Sequence, residues 1–377
     1  MTKKAQASIK PGLSMRHVLC LGWKLVILLS VALCVFAFLR IQLYSQSTAA
    51  LPRKSRSLTY EFNGNPKVAF LFLVRRNLPL DFLWESFFEN VGRAKFSIYI
   101  HSEPGFVFDE STTRSTVFFD RQLRNSIKVA WGEASMIQAE RILFEEALQD
   151  LANQRFILLS DSCVPLYNFS YIYNYLMGSP RSFVDSFLDK KDVRYNPQMS
   201  PAISKQKWRK GSQVNILFHG SNALASLSDK LIALNSNQII IWVTLIRRHA
   251  EEVVDDEIVF PIFKKFCKRR PPVDARKGRK NLKLQKQHNC IPDEHYVQTL
   301  LSMKDLETEL ERRTVTYTDI NHVYYETEYR TEWCSNNSTS VPCFSFARKF
   351  SQGAAMRLLS QGVVGNFDVS TLLEAPP

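Results

Sequence analysis

Two uninterrupted apolar runs constrain this fold more than any other feature of the chain. Lys67 to Arg75 reads KVAFLFLVR, and Arg155 to Leu159 reads RFILL. A strand with one wet face alternates apolar and polar residues. A run without alternation belongs to a strand buried on both faces. Phe96 to His101 (FSIYIH) is a further strand, Thr116 to Phe119 a short one, and Ser182 to Leu188 another. Helical spacing of apolar residues lies between them: Leu80 to Asn90, Met136 to Leu151 with Ser135 as its cap, and a short helix capped by Ser170 and running to Met177. Strands alternating with helices predict an α/β domain whose mainly parallel sheet is flanked by helices. Ligands of such sheets lie beyond the carboxyl ends of the strands. That rule gathers Arg75, Arg76, His101, Ser102 and Ser160-Asp161-Ser162 near one cleft.

Val18 to Leu39 is apolar except for Lys24 and Ser30, long enough to cross a bilayer. Lys3, Lys4, Lys10 and Arg16 precede it with no acidic residue, which predicts a cytosolic N-terminus. We read residues 1–17 as a cytosolic tail, 18–39 as a transmembrane signal-anchor, 40–65 as a flexible stem and 66–377 as a luminal domain. The alternative is a cleaved signal peptide using the small residues Ser47 to Ala50, for which the apolar run is long and distant. Cys20 and Cys34 fall in the apolar segment. Cys163, Cys267, Cys290, Cys334 and Cys343 do not, so at most two disulfides and one thiol are open to them. Cys267 with Cys290 and Cys334 with Cys343 are the pairs near in sequence. No CxxC pair suggests structural zinc. Asn168, Asn336 and Asn337 head glycan acceptor sequons. The net charge of +13 is dispersed rather than striped, which argues against nucleic acid and for an anionic ligand such as a nucleotide diphosphate.

Pro292-Asp293-Glu294-His295-Tyr296 places two carboxylates and an imidazole directly after a Pro. Pro opens helices, so the stretch predicts a helix start with Glu294 in the first turn, a seat for a general base. Acidic capping without chemistry is the plainer reading of the five residues alone. No GxGxxG or GxxxxGK[ST] follows a strand, and no Gly-x-Ser-x-Gly is present, which removes redox-dinucleotide, P-loop and serine-hydrolase readings. The luminal part also lacks Asp-x-Asp, a motif that holds a divalent cation against a diphosphate. Glu309 and Glu311 form a Glu-x-Glu, read as the solvated face of a polar helical stretch.

The chain resembles the plant branch of the core-2/I-branching β-1,6-N-acetylglucosaminyltransferase-like family. The resemblance rests on KVAFLFLVRRNLPL, FSIYIHSEPGF, WGEASMIQAE, RFILLSDSCVPLYNF, YIYNYLMGSPRSFVDSF, RYNPQMSP, WRKGSQ, PDEHYVQTLL, HVYYETEYRTEW and CFSFARKF, in family order across most of residues 66–350. It implies a GT-A-like fold in a Golgi type II membrane protein, and an inverting transferase that uses a UDP-sugar without a metal. By position in the family motif Glu294 is the general base, with Asp293 and His295 supporting it. Lys349 matches a phosphate-contacting lysine, with Arg348 as its neighbour and Arg330 as a further candidate. Arg75 and His101, at strand ends, are candidates for the nucleotide pocket, and Glu133, Asp161, Cys163, Lys210, Gly211 and Ser212 are candidates for the acceptor or sugar side. Core packing for Cys163, capping for Glu133 and Asp161, and a plain surface pair for Arg348-Lys349 are the alternatives without chemistry.

Two departures from that pattern stand out. Val214 to Ile241 interrupts a segment that would otherwise read KGSQWVTLIRRHA. It has no Arg, Glu or Pro, and it starts with Val, whose codon shares GT with a splice donor. A retained intron and a genuine loop are the two readings, and sequencing the cDNA separates them. Between Thr318 and His322 the chain is shorter than the resemblance implies. The membrane-anchored transferase is the leading reading. A catalytically inactive isoform acting as a Golgi binding or scaffold protein is the alternative.

Overall fold

A computed structural model of the protein describes residues 23, 24, 26–37, 62–189, 194–211, 242–269, 290–318, 333–336, 339–342, 344–360 and 362. The interruption at 214–241, the short region between 318 and 322, Ser212, Arg330 and Asn337 lie outside them, except for Thr318. The chain divides into two units, Met1–Tyr60 and Glu61–Pro377. In the first, residues 26–37 are helical and their described side chains are exposed. Among the described residues no helix is long and apolar enough to cross a membrane.

The second unit runs β1 (Lys67–Leu73), α1 (Asp81–Phe88), β2 (Phe96–His101), α2 (Ala134–Ala147), β3 (Asn153–Ser160), β4 (Val164–Pro165), α3 (Phe169–Gly178), β5 (Ser182–Phe183), β6 (Phe187–Leu188), β7 (Arg209–Lys210), β8 (Thr244–Ile246), α4 (Arg247–Val254), α5 (Val259–Phe266), α6 (Tyr296–Met303), β9 (Leu310–Glu311), β10 (Thr316–Thr318), β11 (Trp333–Asn336), β12 (Thr339–Pro342), β13 (Phe346–Arg348) and α7 (Gln352–Ser360). The main sheet is ordered β2-β1-β3-β8-β5-β9. β1 is parallel to β2 and β3, and β5 to β9, while β8 alone runs against its neighbours. A mixed α/β unit with a mainly parallel central sheet fits the GT-A-like expectation. A second sheet, β10-β13-β4, abuts the carboxyl end of β3 through the short link to β4.

The lack of alternation in β1 has its cause in two cores. Phe70 and Phe72 enter one apolar cluster with α1, α3 and α7, whereas Ala69 and Leu71 enter the other with α2, α4, α5 and α6. Trp84 of α1 is the hinge of the first cluster. It is 0% exposed, meets Phe72 edge-on with ring centroids 5.0 Å apart, and donates its indole N–H to the Cys163 carbonyl at 3.2 Å. On the other side, the Cys267–Cys290 disulfide, with Cα atoms 4.9 Å apart, ties the end of α5 to the residues just before Pro292. The structure thus makes one of the two near-neighbour pairings; Cys343, needed for the other, lies outside the described residues. Cys34 and Cys163 are free.

Local differences from the sequence expectations have local reasons. Thr116–Phe118 is a 3-10 turn, not a strand. Helix α2 starts at Ala134, and the Ser135 hydroxyl is bonded to the Ala130 backbone instead of capping. Asn168, not Ser170, caps α3, its Oδ1 accepting the Tyr171 N–H at 2.9 Å. Glu307–Glu309 forms a 3-10 turn that leads into β9, and Glu309 pairs with Arg248 and His249, so it is no solvated helix face.

Replacing Trp84 with Ala removes a buried ring and strands a carbonyl, so we expect a loss of about 3–5 kcal/mol in urea unfolding. Trp84→Phe, which keeps most of the contact, should lose less than half as much. Equal losses would show that the hydrogen bond, not the ring, dominates.

Candidate active site

Leu73, His101 and Ser160 share one rung at the carboxyl ends of β1, β2 and β3. The chain leaving β3 turns through Asp161-Ser162-Cys163 into β4. The Asp161 Oδ2 accepts a bond from Arg75 Nε at 3.3 Å, but the Arg75 side chain is 93% exposed, so the pair is solvated and contributes little to stability. Cys163 is fully buried, its Sγ accepts the Ser160 N–H at 3.3 Å, and burial pushes its thiol up. Its side chain packs in the first core. His101 is 1% exposed, and its Nε2 accepts the Ile127 N–H at 3.0 Å, which leaves the proton on Nδ1. Burial drives its pKa down to about 4. His101 is therefore a neutral anchor for the loop at Ile127 and brings no cation to a nucleotide.

The opposite wall is the turn that the disulfide holds. Pro292–Glu294 is a single 3-10 turn and α6 begins at Tyr296, so Glu294 precedes the helix rather than lying in its first turn. The Glu294 carboxylate is 1% exposed. Its Oε2 accepts from Arg194 Nη1, and its Oε1 has no partner among the described residues. A guanidinium orients it, in place of the helix amides expected from the sequence. Beside this pair, Lys210 Nζ lies 3.1 Å from Asp189. His295 donates from Nδ1 to the Arg209 carbonyl at 2.8 Å and stacks on Trp208, centroids 4.4 Å apart. Burial lowers its pKa to about 3, so it is a neutral packing residue that steadies the turn.

Arg348 and Asp293 join the two walls. Arg348 ends β13, which pairs with β4, and is 7% exposed with its guanidinium 4.7 Å over the Trp242 ring. Asp293 is half-buried as a residue, but its Oδ1 is enclosed without a partner among the described residues. Burial pushes its carboxyl up to about 6, while the charges of Arg194 and Arg348 pull the other way. Glu140, on the buried face of α2, is pushed well above the usual carboxylate range by burial and then by the charge of Asp293. Lys349 is half-buried; burial first, then Arg348 and Arg75, hold its ammonium below the usual lysine value.

The decisive feature is the set of buried polar atoms in this neighbourhood with no partner among the described residues. They include Asp293 Oδ1, Glu294 Oε1, His295 Nε2, Trp242 Nε1, and Arg348 Nε and Nη1, with Trp208 Nε1, both amide atoms of Gln298, His101 Nδ1 and Ser102 Oγ on the residues next to them. Each such atom costs about 1–3 kcal/mol when left unpaired, and native proteins seldom keep them together without a use. Their mixture of cationic donors and carboxylate acceptors suits a ligand that carries both negative charge and hydroxyl groups. Among the described residues, no group of three or more His, Cys, Asp or Glu side chains is placed to hold a metal ion.

The other expected site residues are more dispersed. Glu133 is the N-cap of α2, but its side chain makes no capping bond. Gly211 is buried at the end of β7. Asn336 lies in β11. Sequence reasoning missed Arg194, Glu140, Asp189 and Trp242. Glu140 was open to detection: it follows Glu133 by two helical turns and shares a stripe with Ile137 and Phe144, an acid on an apolar face. Arg194 carried no local pattern, since only the tertiary fold brings it to Glu294.

The model of the core-2/I-branching enzyme family matches residues 68–351. The chain belongs to this family. Glycosyltransferase BC10 of Oryza sativa subsp. japonica is 44% identical over 346 residues, which is 82% of this chain and 80% of that relative. This chain is accordingly a core-2/I-branching glycosyltransferase, and the cleft between β3, β13 and the Pro292 turn falls within the matched region.

A carboxyl raised by burial disfavours the fold once it ionises, so Asp293 should reduce stability as pH climbs from about 4 to about 6, with the full cost present above that. The gap corresponds to about 3 kcal/mol. Asp293→Asn should gain about that much on the wild type between pH 4 and pH 7.5, read from urea unfolding at each pH. A difference that does not change with pH would contradict the placement of Asp293.

Proposed function

We propose that this family member transfers a sugar from a UDP-sugar to a hydroxyl of a glycan or glycoprotein acceptor, with inversion at the anomeric carbon and without a metal. The observation that carries the reading is that buried Glu294 Oε1 and Arg348 Nε and Nη1 lack partners among the described residues, while Asp293, next to Glu294, feels the charges of both Arg348 and Arg194. In this reading the acceptor hydroxyl binds at Glu294, which takes its proton through Oε1 as the oxygen attacks the anomeric carbon. The bond from that carbon to the diphosphate breaks, and the negative charge that develops on UDP is met by Arg348 and Lys349. Arg194 holds the other carboxylate oxygen, which keeps Oε1 aimed and available. Asp293 offsets part of the charge of Arg348 and Arg194, and Glu140, held protonated by burial and by Asp293, adds no charge of its own. UDP-GlcNAc is the first donor to test, since it is the donor that the sequence resemblance implies.

We place the enzyme in the Golgi membrane, single-pass and type II, with residues 66–377 luminal. Two observations support this. The apolar segment at 18–39 follows a basic tail, and the Cys267–Cys290 disulfide suits an oxidising compartment.

Glu294→Gln tests the chemistry. Loss of a general base should lower transfer by about 100-fold or more. UDP binding should stay within about twofold of the wild type, because Gln keeps the size and the Arg194 contact of the side chain. Unaltered turnover in this variant would sink the assignment of Glu294 as base. Loss of UDP binding along with turnover would show that Glu294 holds the fold or the donor instead.

A further inference from the structure

A second polar cavity lies away from this cleft. It has a volume of about 270 Å³ and runs along the outer edge of β2, lined by Arg93, Ser97, Ile98, Tyr99, Arg121 and Asp150, among others. Strand β2 is the last strand of the main sheet. Its edge is only partly covered. Ile100 donates its N–H to the Arg121 carbonyl at 3.0 Å and accepts from the Leu123 N–H at 2.8 Å. Backbone groups of a strand face the same side every second residue, so those of Ile98 face this same edge. The Ile98 side chain is in the core, and no backbone partner covers its outward N–H and C=O among the described residues. The cavity therefore offers one free backbone donor and one free backbone acceptor.

Its charge is unbalanced. Lys67, which also lines it, is neutralised by Asp150 at 2.9 Å. Arg93 and Arg121, both exposed, line it with no ion-pair partner among the described residues. Guanidinium forks suit a carboxylate or a phosphate. Sulfate has no donors to give to the Ile98 carbonyl, and phosphate at neutral pH has at most two O–H groups to share between that carbonyl and Asp150. A ligand with one carboxylate and several hydroxyls meets both halves of the lining: the carboxylate on the arginines, the hydroxyls on the Ile98 carbonyl and Asp150, and a ring face against Tyr99. The volume is that of about one hexose ring, at the lower end for ligand pockets.

We propose that the cavity beside β2 is a binding site for an acidic sugar of the hexuronate class, separate from the transfer site. The inference stands on the lining alone; only the folding control of its test rests on the UDP binding proposed above.

Calorimetry on the full chain in detergent tests it, with D-glucuronate as probe and D-glucose and inorganic phosphate as comparisons. Glucuronate should bind saturably, glucose should not, and phosphate should bind at least tenfold more weakly. In R93Q/R121Q, glucuronate affinity should fall at least tenfold while UDP binding at the other cleft stays unchanged. Both residues are exposed, so the variant should fold, and its retained UDP binding reports on that. Three results would overturn the proposal. Glucuronate could fail to bind the wild type. It could bind the variant equally well, which would place it elsewhere. Phosphate could bind as tightly as glucuronate, which would make the cavity a simple anion site. If the variant lost UDP binding too, the two sites would not be separate and the proposal would fail on that count.

Discussion

Three parallel strands that stop on the same rung set up everything else in this molecule. Because β1, β2 and β3 end together at Leu73, His101 and Ser160, the links that leave them are forced into one small region. Backbone there has left the sheet ladder, and its polar groups need other partners. β13 supplies part of the answer by pairing with β4, which sets Arg348 beside that region. The disulfide-held Pro292 turn supplies the rest and brings in Asp293 and Glu294.

The cluster is a balance of buried charges, not a set of independent pairs. Burying an ion without a partner costs several kcal/mol, and removing one member of a buried pair is more damaging than replacing both. Arg194 with Glu294, Lys210 with Asp189, and Arg348 near Asp293 and Asp161 divide that cost among several groups. The balance is incomplete, as the unpartnered atoms on Asp293, Glu294, Trp242 and Arg348 show. Other buried polar atoms without partners among the described residues, such as those of Ser115, Tyr171 and Ser186, are single hydroxyls; the concentration of charged groups here marks the region as built for a ligand. Hydrogen bonds to a substrate would be worth more in such an enclosed place than at a wet surface.

Much of the fold was legible in the sequence because it depends on patterns that are local. The unalternated run at Lys67 to Arg75 required two buried faces, and the structure has a core on each. FSIYIH became β2 with the boundaries expected, since its ends are set by its own residues. Thr116 to Phe119 was misjudged because three residues carry no period, and Ser135 and Ser170 were misjudged as caps because an equally competent neighbour or backbone group was available. The site was legible where a side chain and its role share one segment, as at Glu294. It was not legible at Arg194, which lies 100 residues from its partner, nor in the protonation of His101 and His295, which burial alone decides. The imidazoles looked like functional groups in the sequence and serve as neutral packing in the fold.

We propose that side-chain cations, and not a divalent metal, hold the diphosphate of the donor. The most direct measurement is the affinity of the full chain for UDP with and without EDTA, repeated in the Arg348→Gln variant. The affinity should be the same with and without chelator, and at least tenfold weaker once the Arg348 charge is gone. Binding that disappears with EDTA, or that ignores the loss of Arg348, would contradict this proposal.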